Sequence, residues 1–93
     1  MMTFEWDKEK ARKNLKNHKV SFDEAKTVFN DPFLITFPDP DHSLDEQRYL
    51  NIGSSSESRV LIAIHTEREG NIRIISCRKA AASERGAHEE GNY

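Results

Sequence analysis

Arg59-Val-Leu-Ile-Ala-Ile-His-Thr-Glu-Arg-Glu-Gly-Asn-Ile-Arg-Ile-Ile-Ser-Cys-Arg-Lys79 is the stretch whose reading decides the fold. It holds the two most β-prone segments of the chain, Val60 to Ile64 and Ile72 to Cys77, both rich in β-branched residues. Between them, Glu67-Arg68-Glu69-Gly70-Asn71 is polar and supplies the glycine that a tight hairpin turn takes at a left-handed position. The stretch predicts two antiparallel strands at the centre of a sheet. Arg59, His65, Thr66, Glu67, Arg68, Arg73, Arg78 and Lys79 are set among the isoleucines. Arg73 interrupts an isoleucine run and Arg78-Lys79 close the strand, so a functional surface is sought here. Strict alternation puts Leu61, Ala63, His65 and Glu67 on one face and Val60, Ile62, Ile64 and Thr66 on the other. It likewise sets Arg73, Ile75, Cys77 and Lys79 opposite Ile72, Ile74, Ser76 and Arg78. Loop length alone leaves the hairpin register open by one residue.

A chain of 93 residues makes one domain, 1–93, and buries roughly 60–65% of its unfolded surface. Hydrophobic residues are 35% and charged residues 32%, which predicts a small core under a highly charged surface. The longest uninterrupted apolar run, Val60 to Ile64, falls far short of the ~20 residues of a membrane span, so no membrane role is expected. The opening Met-Met-Thr-Phe-Glu-Trp-Asp has no basic region followed by an apolar one, so no secretory signal is expected. The single cysteine, Cys77, has no internal disulfide partner, which suits a reducing cytoplasm. Its place beside Ile75 predicts a small buried apolar residue rather than a nucleophile.

Net charge is −2, which by itself argues against nonspecific nucleic-acid binding. The distribution is uneven. Residues 1–20 carry six Lys/Arg against three Asp/Glu, and residues 59–79 carry five against two. Residues 21–58 carry two against eight, and residues 80–93 one against three. A basic start and a basic strand region flank an acidic middle, so a near-neutral average conceals a local positive face.

Thr3-Phe4-Glu5-Trp6 reads as a short strand. Asp7 follows as a helix N-cap, opening a helix over about Lys8 to Asn17 with Ala11 and Leu15 as its apolar pair. Its other faces carry Lys8, Lys10, Arg12, Lys13 and Lys16, either a solvated surface or one facing phosphate. Ser21-Phe-Asp-Glu24 matches a capping box, with Val20 at the staple position. Phe22, Ala25, Val28 and Phe29 then repeat at helical spacing, predicting a helix over Phe22 to Phe29 that Asn30-Asp31-Pro32 stops. Phe33 to Phe37 and Arg48 to Ile52 read as further strands. Phe4, Leu34, Ile35 and parts of the last helix are expected to leave apolar surface uncovered. Asp39, Asp41, His42, Asp45 and Glu46 lack the glycine and spacing of a calcium loop and read as a solvated acidic loop, so no metal is expected. Ala80 to about Glu90 has helical composition, and Gly91-Asn-Tyr93 is expected to fray. Helices cluster early and strands late, which indicates an α+β fold.

No phosphate-binding glycine loop, Gly-x-Ser-x-Gly, Cys-x-x-Cys or His-x-x-x-His is present. Charged hairpins are common as plain solvated surface, and the alternative chemistry for a cationic sheet is RNA cleavage by the 2′-hydroxyl. That reaction needs a base, cations to stabilise the phosphorane, and an acid for the leaving 5′ oxygen. Glu67 or His65 suits the base, and Arg73, Arg78 and Lys79 suit the phosphate clamp.

Phe4-Glu-Trp-Asp7, Asn14-Leu15, Asn17-His18-Lys19-Val20-Ser21-Phe22, Glu24-Ala25 and Val28-Phe29-Asn30-Asp31-Pro32 run in one order with further signals downstream. These are Asp41-His42-Ser43, Arg48 to Gly53, His65-Thr66-Glu67-Arg68 and Ile72 to Ala80. Over about residues 4–85 the chain resembles the BrnT toxins. The resemblance implies a RelE/ParE-like fold: a small twisted, mainly antiparallel sheet with two N-terminal helices packed on it and a C-terminal helix. It implies a ribonuclease toxin of a type II toxin–antitoxin system that arrests translation by metal-independent cleavage, with no cofactor. The implied partners are RNA and a ribbon-helix-helix antitoxin similar to BrnA, with operator DNA reached only through that antitoxin. Carried over by position, Glu67, Arg73, Arg78 and Lys79 are candidates for catalysis, and Arg68, Arg48 and His42 for RNA binding. Trp6 is either a stacking platform for a base or part of the core. Two departures stand out. Lys19 occupies the family's usual glycine position and must then accept a left-handed cap. The last helix, Arg-rich in the family, keeps only Arg85, which leaves open a weak or inactive toxin serving chiefly to bind its antitoxin in autorepression.

Overall fold

The computed structural model describes residues 2–39 and 46–90. His42, the acidic positions Asp41 and Asp45, and the terminal Gly91-Asn-Tyr93 lie outside the described residues. The quoted stretch folds into β4 (Val60–Arg68) and β5 (Asn71–Lys79). Strand pairing continues to Arg68 and Asn71, so the turn is only Glu69 and Gly70. Both take positive φ, 53° and 83°, the hand that matches hairpin twist. Around them stand β1 (Phe4–Trp6), β2 (Ile35–Pro38) and β3 (Arg48–Ser54), in the sheet order β1-β5-β4-β3-β2. β1 pairs parallel with β5, and the remaining pairs are antiparallel. The sheet is therefore mixed, and the fold is α+β.

Asp7 caps α1 (Lys8–His18), accepting from the Lys10 amide at 2.9 Å. The helix ends on Lys19 in the left-handed conformation, φ 59° and ψ 31°. Ser21 caps α2 (Phe22–Ala25), accepting from the Glu24 amide at 3.0 Å. Here the expected helix over 22–29 is corrected: after Ala25 the chain tightens into a 3-10 turn, Lys26–Asn30. Thr27 and Val28 are β-branched, and the Thr27 hydroxyl donates back to the Glu24 carbonyl at 2.6 Å, which competes with regular helix. The C-terminal helix is α3 (Ala82–Glu90). No helix among the described residues is long and apolar enough to cross a membrane.

Apolar layers lie on both faces of the sheet. On the inner face Val20, Phe22, Ala25 and Val28 pack against Leu61, Ala63, Ile74 and Cys77. On the outer face Ile52, Ile62 and Ala80 are buried, with Ile35, Leu50, Val60 and Ile64 half-covered beside them. Gly53 lets the 3-10 turn sit directly on β3: a Cβ there would stand 3.1 Å from Val28 Cβ and 2.9 Å from Leu34 Cδ1. Phe4, Leu34 and Ile35 are half-buried. Among the described residues, the large exposed apolar side chains are instead Met2, Leu15, Phe33 and Phe37.

Leu15 departs from expectation because α1 turns a different face inward. It is half exposed, whereas Asn14 is buried. The Asn14 amide donates to the carbonyls of Val20 (3.0 Å) and Cys77 (2.7 Å) and accepts from the Cys77 amide (3.0 Å). β1 covers β5 only as far as Ile74. Beyond that point Asn14 takes the place of a neighbouring strand for β5, satisfying backbone groups that would otherwise be costly to bury.

β5 also breaks strict alternation. Pairing runs from Leu61↔Lys79 to Ile64↔Ser76, then resumes at His65↔Ile74, so Ile75 is an extra residue on β5. A bulge of this kind reverses the facing of everything beyond it. Ile72 and Ile74 thereby join Cys77 in the inner layer. Arg73, expected to face with Cys77 and Lys79, shares the outer face with Ser76 and Arg78 instead.

Candidate nucleic-acid interface

Registers across β2 to β5 build the outer face in rows. One row is Ile35, Ile52, Ile62 and Arg78; the next is Phe37, Leu50, Ile64 and Ser76. The third is Arg48, Thr66, Arg73 and Glu5. Leu50, Ile62, Ile64 and Ile75 floor a cavity of about 320 Å³, with His18, Asp39, Arg48 and Arg78 at its walls beside Ser76 and Cys77. A flat apolar floor under cationic walls suits a nucleobase and its phosphate.

His18 reaches this cavity for a structural reason. It follows Asn14 by four residues and so shares its helix face. Because Asn14 is fastened to Cys77 at the uncovered edge of β5, the next turn delivers His18 over that edge. It lies in the last turn of α1. Sequence reads Asp39 only as part of a solvated acidic loop and does not single out His18 as a chemical group. The usable signal for His18 was its spacing from a polar residue that turns out to be buried.

The expected site residues fall into separate places. Arg78 stands on the outer face and forms a two-pronged pair with Glu84 of α3, at 2.8 and 2.9 Å. Arg78 and the Ala81 amide hold the Glu84 carboxyl down at about 2. Lys79 pairs with Leu61 on the inner face, and its charge acts on Glu24 there. Arg73 pairs with Glu5 at 2.6 Å. Glu5 also accepts from Asn71, and those two bonds, Asn71 first, hold its carboxyl below the usual range. Arg73 and Arg78 are separated by the same length as Thr66 and Ile62 opposite them, about 13 Å along the strand. Glu67 is exposed near the hairpin tip, about 17 Å along the sheet from the Arg78 row. Arg68, also near the tip, makes a 3.4 Å pair with Glu46. Trp6 faces the inner layer and meets Phe22 edge-on at 5.9 Å.

Other polar residues of the hairpin have structural partners. Arg59 pairs with Glu24 and donates to the Lys19 carbonyl. His65 is buried, stacked on Tyr49 and bonded to Asn51. Burial pushes its imidazole down, against a smaller opposing pull from Glu67. Thr66 donates to the Gln47 carbonyl. Burial pushes the Cys77 thiol up to about 12, so it is protonated and inert at neutral pH. Among the described residues no group of three or more His, Cys, Asp or Glu is placed to hold a metal ion.

Residues 6–84 match the family described as ribonuclease toxin, BrnT, of type II toxin–antitoxin systems. The fold is similar to the crystal structure of the Brucella abortus ribonuclease toxin BrnT, with a TM-score of 0.68 at 20% identity. That likeness covers 87% of this chain and 99% of the Brucella chain. Comparison with curated protein sequences gives no match.

Proposed function

The chain belongs to the BrnT family of ribonuclease toxins of type II toxin–antitoxin systems, and from that premise we propose that it cleaves RNA on the outer face of its sheet. The observation that carries this reading is the cavity in which Arg48 and Arg78 stand over an apolar floor. One nucleotide rests its base on Leu50, Ile62 and Ile64 and presents its phosphate to Arg78, whose planar guanidinium holds two oxygens at once. Arg73 and Arg68 lie nearer the hairpin tip, where they meet flanking phosphates. The chemistry is acid–base cleavage by the 2′-hydroxyl, without metal or cofactor. Its cellular consequence is cleavage of messenger RNA and arrest of translation in the cytoplasm, in the manner of RelE-like toxins.

Membership of a type II system brings an antitoxin partner. We take that partner to be a ribbon-helix-helix protein similar to BrnA, through which the pair reaches operator DNA. A second reading is a weak or inactive toxin whose role is to bind that antitoxin in autorepression. One observation favours it: Arg73 and Arg78 are each already paired, with Glu5 and Glu84. Purified protein incubated with a defined RNA in EDTA separates the two. Fragments ending in 2′,3′-cyclic phosphate and 5′-hydroxyl support cleavage. Intact RNA, with tight binding of the neighbouring antitoxin, supports the binding role.

A further inference from the structure

We propose that His18 is the general acid of the cleavage reaction, protonating the departing 5′ oxygen of the RNA, an assignment that rests on the RNA-cleaving reading above. The argument starts from what stands around the cavity. Its walls hold two arginines, which keep their charge at every physiological pH, and Cys77, which is buried. Among the described residues, the groups left there to move a proton are His18 and Asp39. Glu67 pairs with Ile72 in the inner-face series, about 17 Å along the sheet from Arg78, so it does not face a phosphate held there. Imidazole is the side chain most often used to hand a proton to a reacting group, so His18 suits donation to the leaving oxygen.

The charges that face His18 come from several elements. Asp39 and Arg48 approach from the β2 and β3 side, and Arg78 from β5. Lys19 adjoins it in sequence, with Arg59 bonded to the Lys19 carbonyl at 3.2 Å. In the reaction the 2′ oxygen bonds to phosphorus and gives its proton to the Asp39 carboxylate. The P–O5′ bond breaks, and its electron pair stays on O5′, which takes a proton from the His18 imidazolium. The products are a 2′,3′-cyclic phosphate and a 5′-hydroxyl. Solvent then carries the proton from Asp39 back to His18. Arg78 stabilises the charge that builds on the non-bridging oxygens meanwhile.

A leaving group that needs no proton isolates this role. The test compares the parent, His18→Ala and His18→Gln on one RNA, and on the same RNA with sulfur replacing the 5′ oxygen at the scissile linkage. A thiolate departs without protonation. The variants should lose about a hundredfold or more on the oxygen substrate and stay within about threefold of the parent on the sulfur substrate. His18 is exposed, so both variants should keep the parent's thermal midpoint; if His18→Ala does not fold, His18→Gln carries the comparison. Equal losses on both substrates, or a parent-like rate on the oxygen substrate, would overturn the assignment while leaving RNA cleavage intact. A parent that cleaves neither substrate overturns the RNA-cleaving reading, and this assignment with it.

Discussion

Lys19 and Asn14 show how single residues set the geometry of the candidate site. Lys19 holds a left-handed backbone at φ 59°, which crowds its Cβ against the following carbonyl. Glycine removes that clash at the expense of a more flexible unfolded chain. Lys19→Gly should therefore raise unfolding stability by about 0.5–1 kcal/mol in urea titration; an unchanged or lower midpoint would show that the strain is relieved elsewhere. Asn14 makes three buried hydrogen bonds at the point where β5 runs out of strand neighbours. Asn14→Ala should cost about 3 kcal/mol, since it removes those bonds and strands the Cys77 backbone groups. It should also slow RNA cleavage, because the anchor that delivers His18 is gone. A loss under about 1 kcal/mol in the same titration would mean that water or a shifted helix replaces the amide.

The hairpin is the element that sequence revealed best, and its bulge is what sequence hid. The isoleucines of β4 and β5 announced two strands, Gly70 announced their turn, and Asp7 and Ser21 announced two helix starts. These are local signals, written in propensity and capping chemistry. The extra residue at Ile75 is not local: it exists because Ile74 and Cys77 both fill the inner layer, a demand made by helices distant in sequence. Reversed facing put Arg73 with Arg78 on the outer face and left Lys79 on the other. The cavity was illegible for the same reason, since His18, Asp39, Arg48 and Arg78 meet only after the sheet is assembled. Position along β5 also divides labour between the two arginines. The two backbones stand about 13 Å apart, and Glu5 holds the Arg73 guanidinium while Glu84 holds that of Arg78, so the two serve different phosphates. Arg73→Ala should chiefly weaken RNA binding, lowering the salt-dependence slope of affinity by about 0.7 while kcat stays within about threefold. A kcat loss matching that of Arg78→Ala would place both guanidiniums on one phosphate.

At the scale of the whole molecule, charge couples the site to stability. Arg59 above all, with help from Ser55, holds Glu24 below its ordinary range. Burial pushes Asp31 up, but the amides of Ser54 and Phe33 and the ring of His88 outweigh it, so it too is lowered. With Glu5 and Glu84, these carboxyls take up protons at lower pH folded than unfolded, so acid favours the unfolded chain. For Glu84 the loss runs from 4.5 down to about 2. Buried His65 adds the same sign at higher pH: its lowered value means the unfolded chain binds that proton first, below about 6.5. The thermal midpoint should therefore be highest above pH 6.5 and fall continuously toward pH 2. A midpoint unchanged down to pH 3 would contradict these pairings. The central claim, that RNA is cleaved at the outer-face cavity, turns on Arg78. Its most direct measurement is the single-turnover rate at which parent and Arg78→Ala cut one defined RNA in EDTA. Loss of a transition-state cation predicts a rate about a hundredfold lower, roughly 3 kcal/mol; an Arg78→Ala protein that cuts as fast as the parent would contradict it.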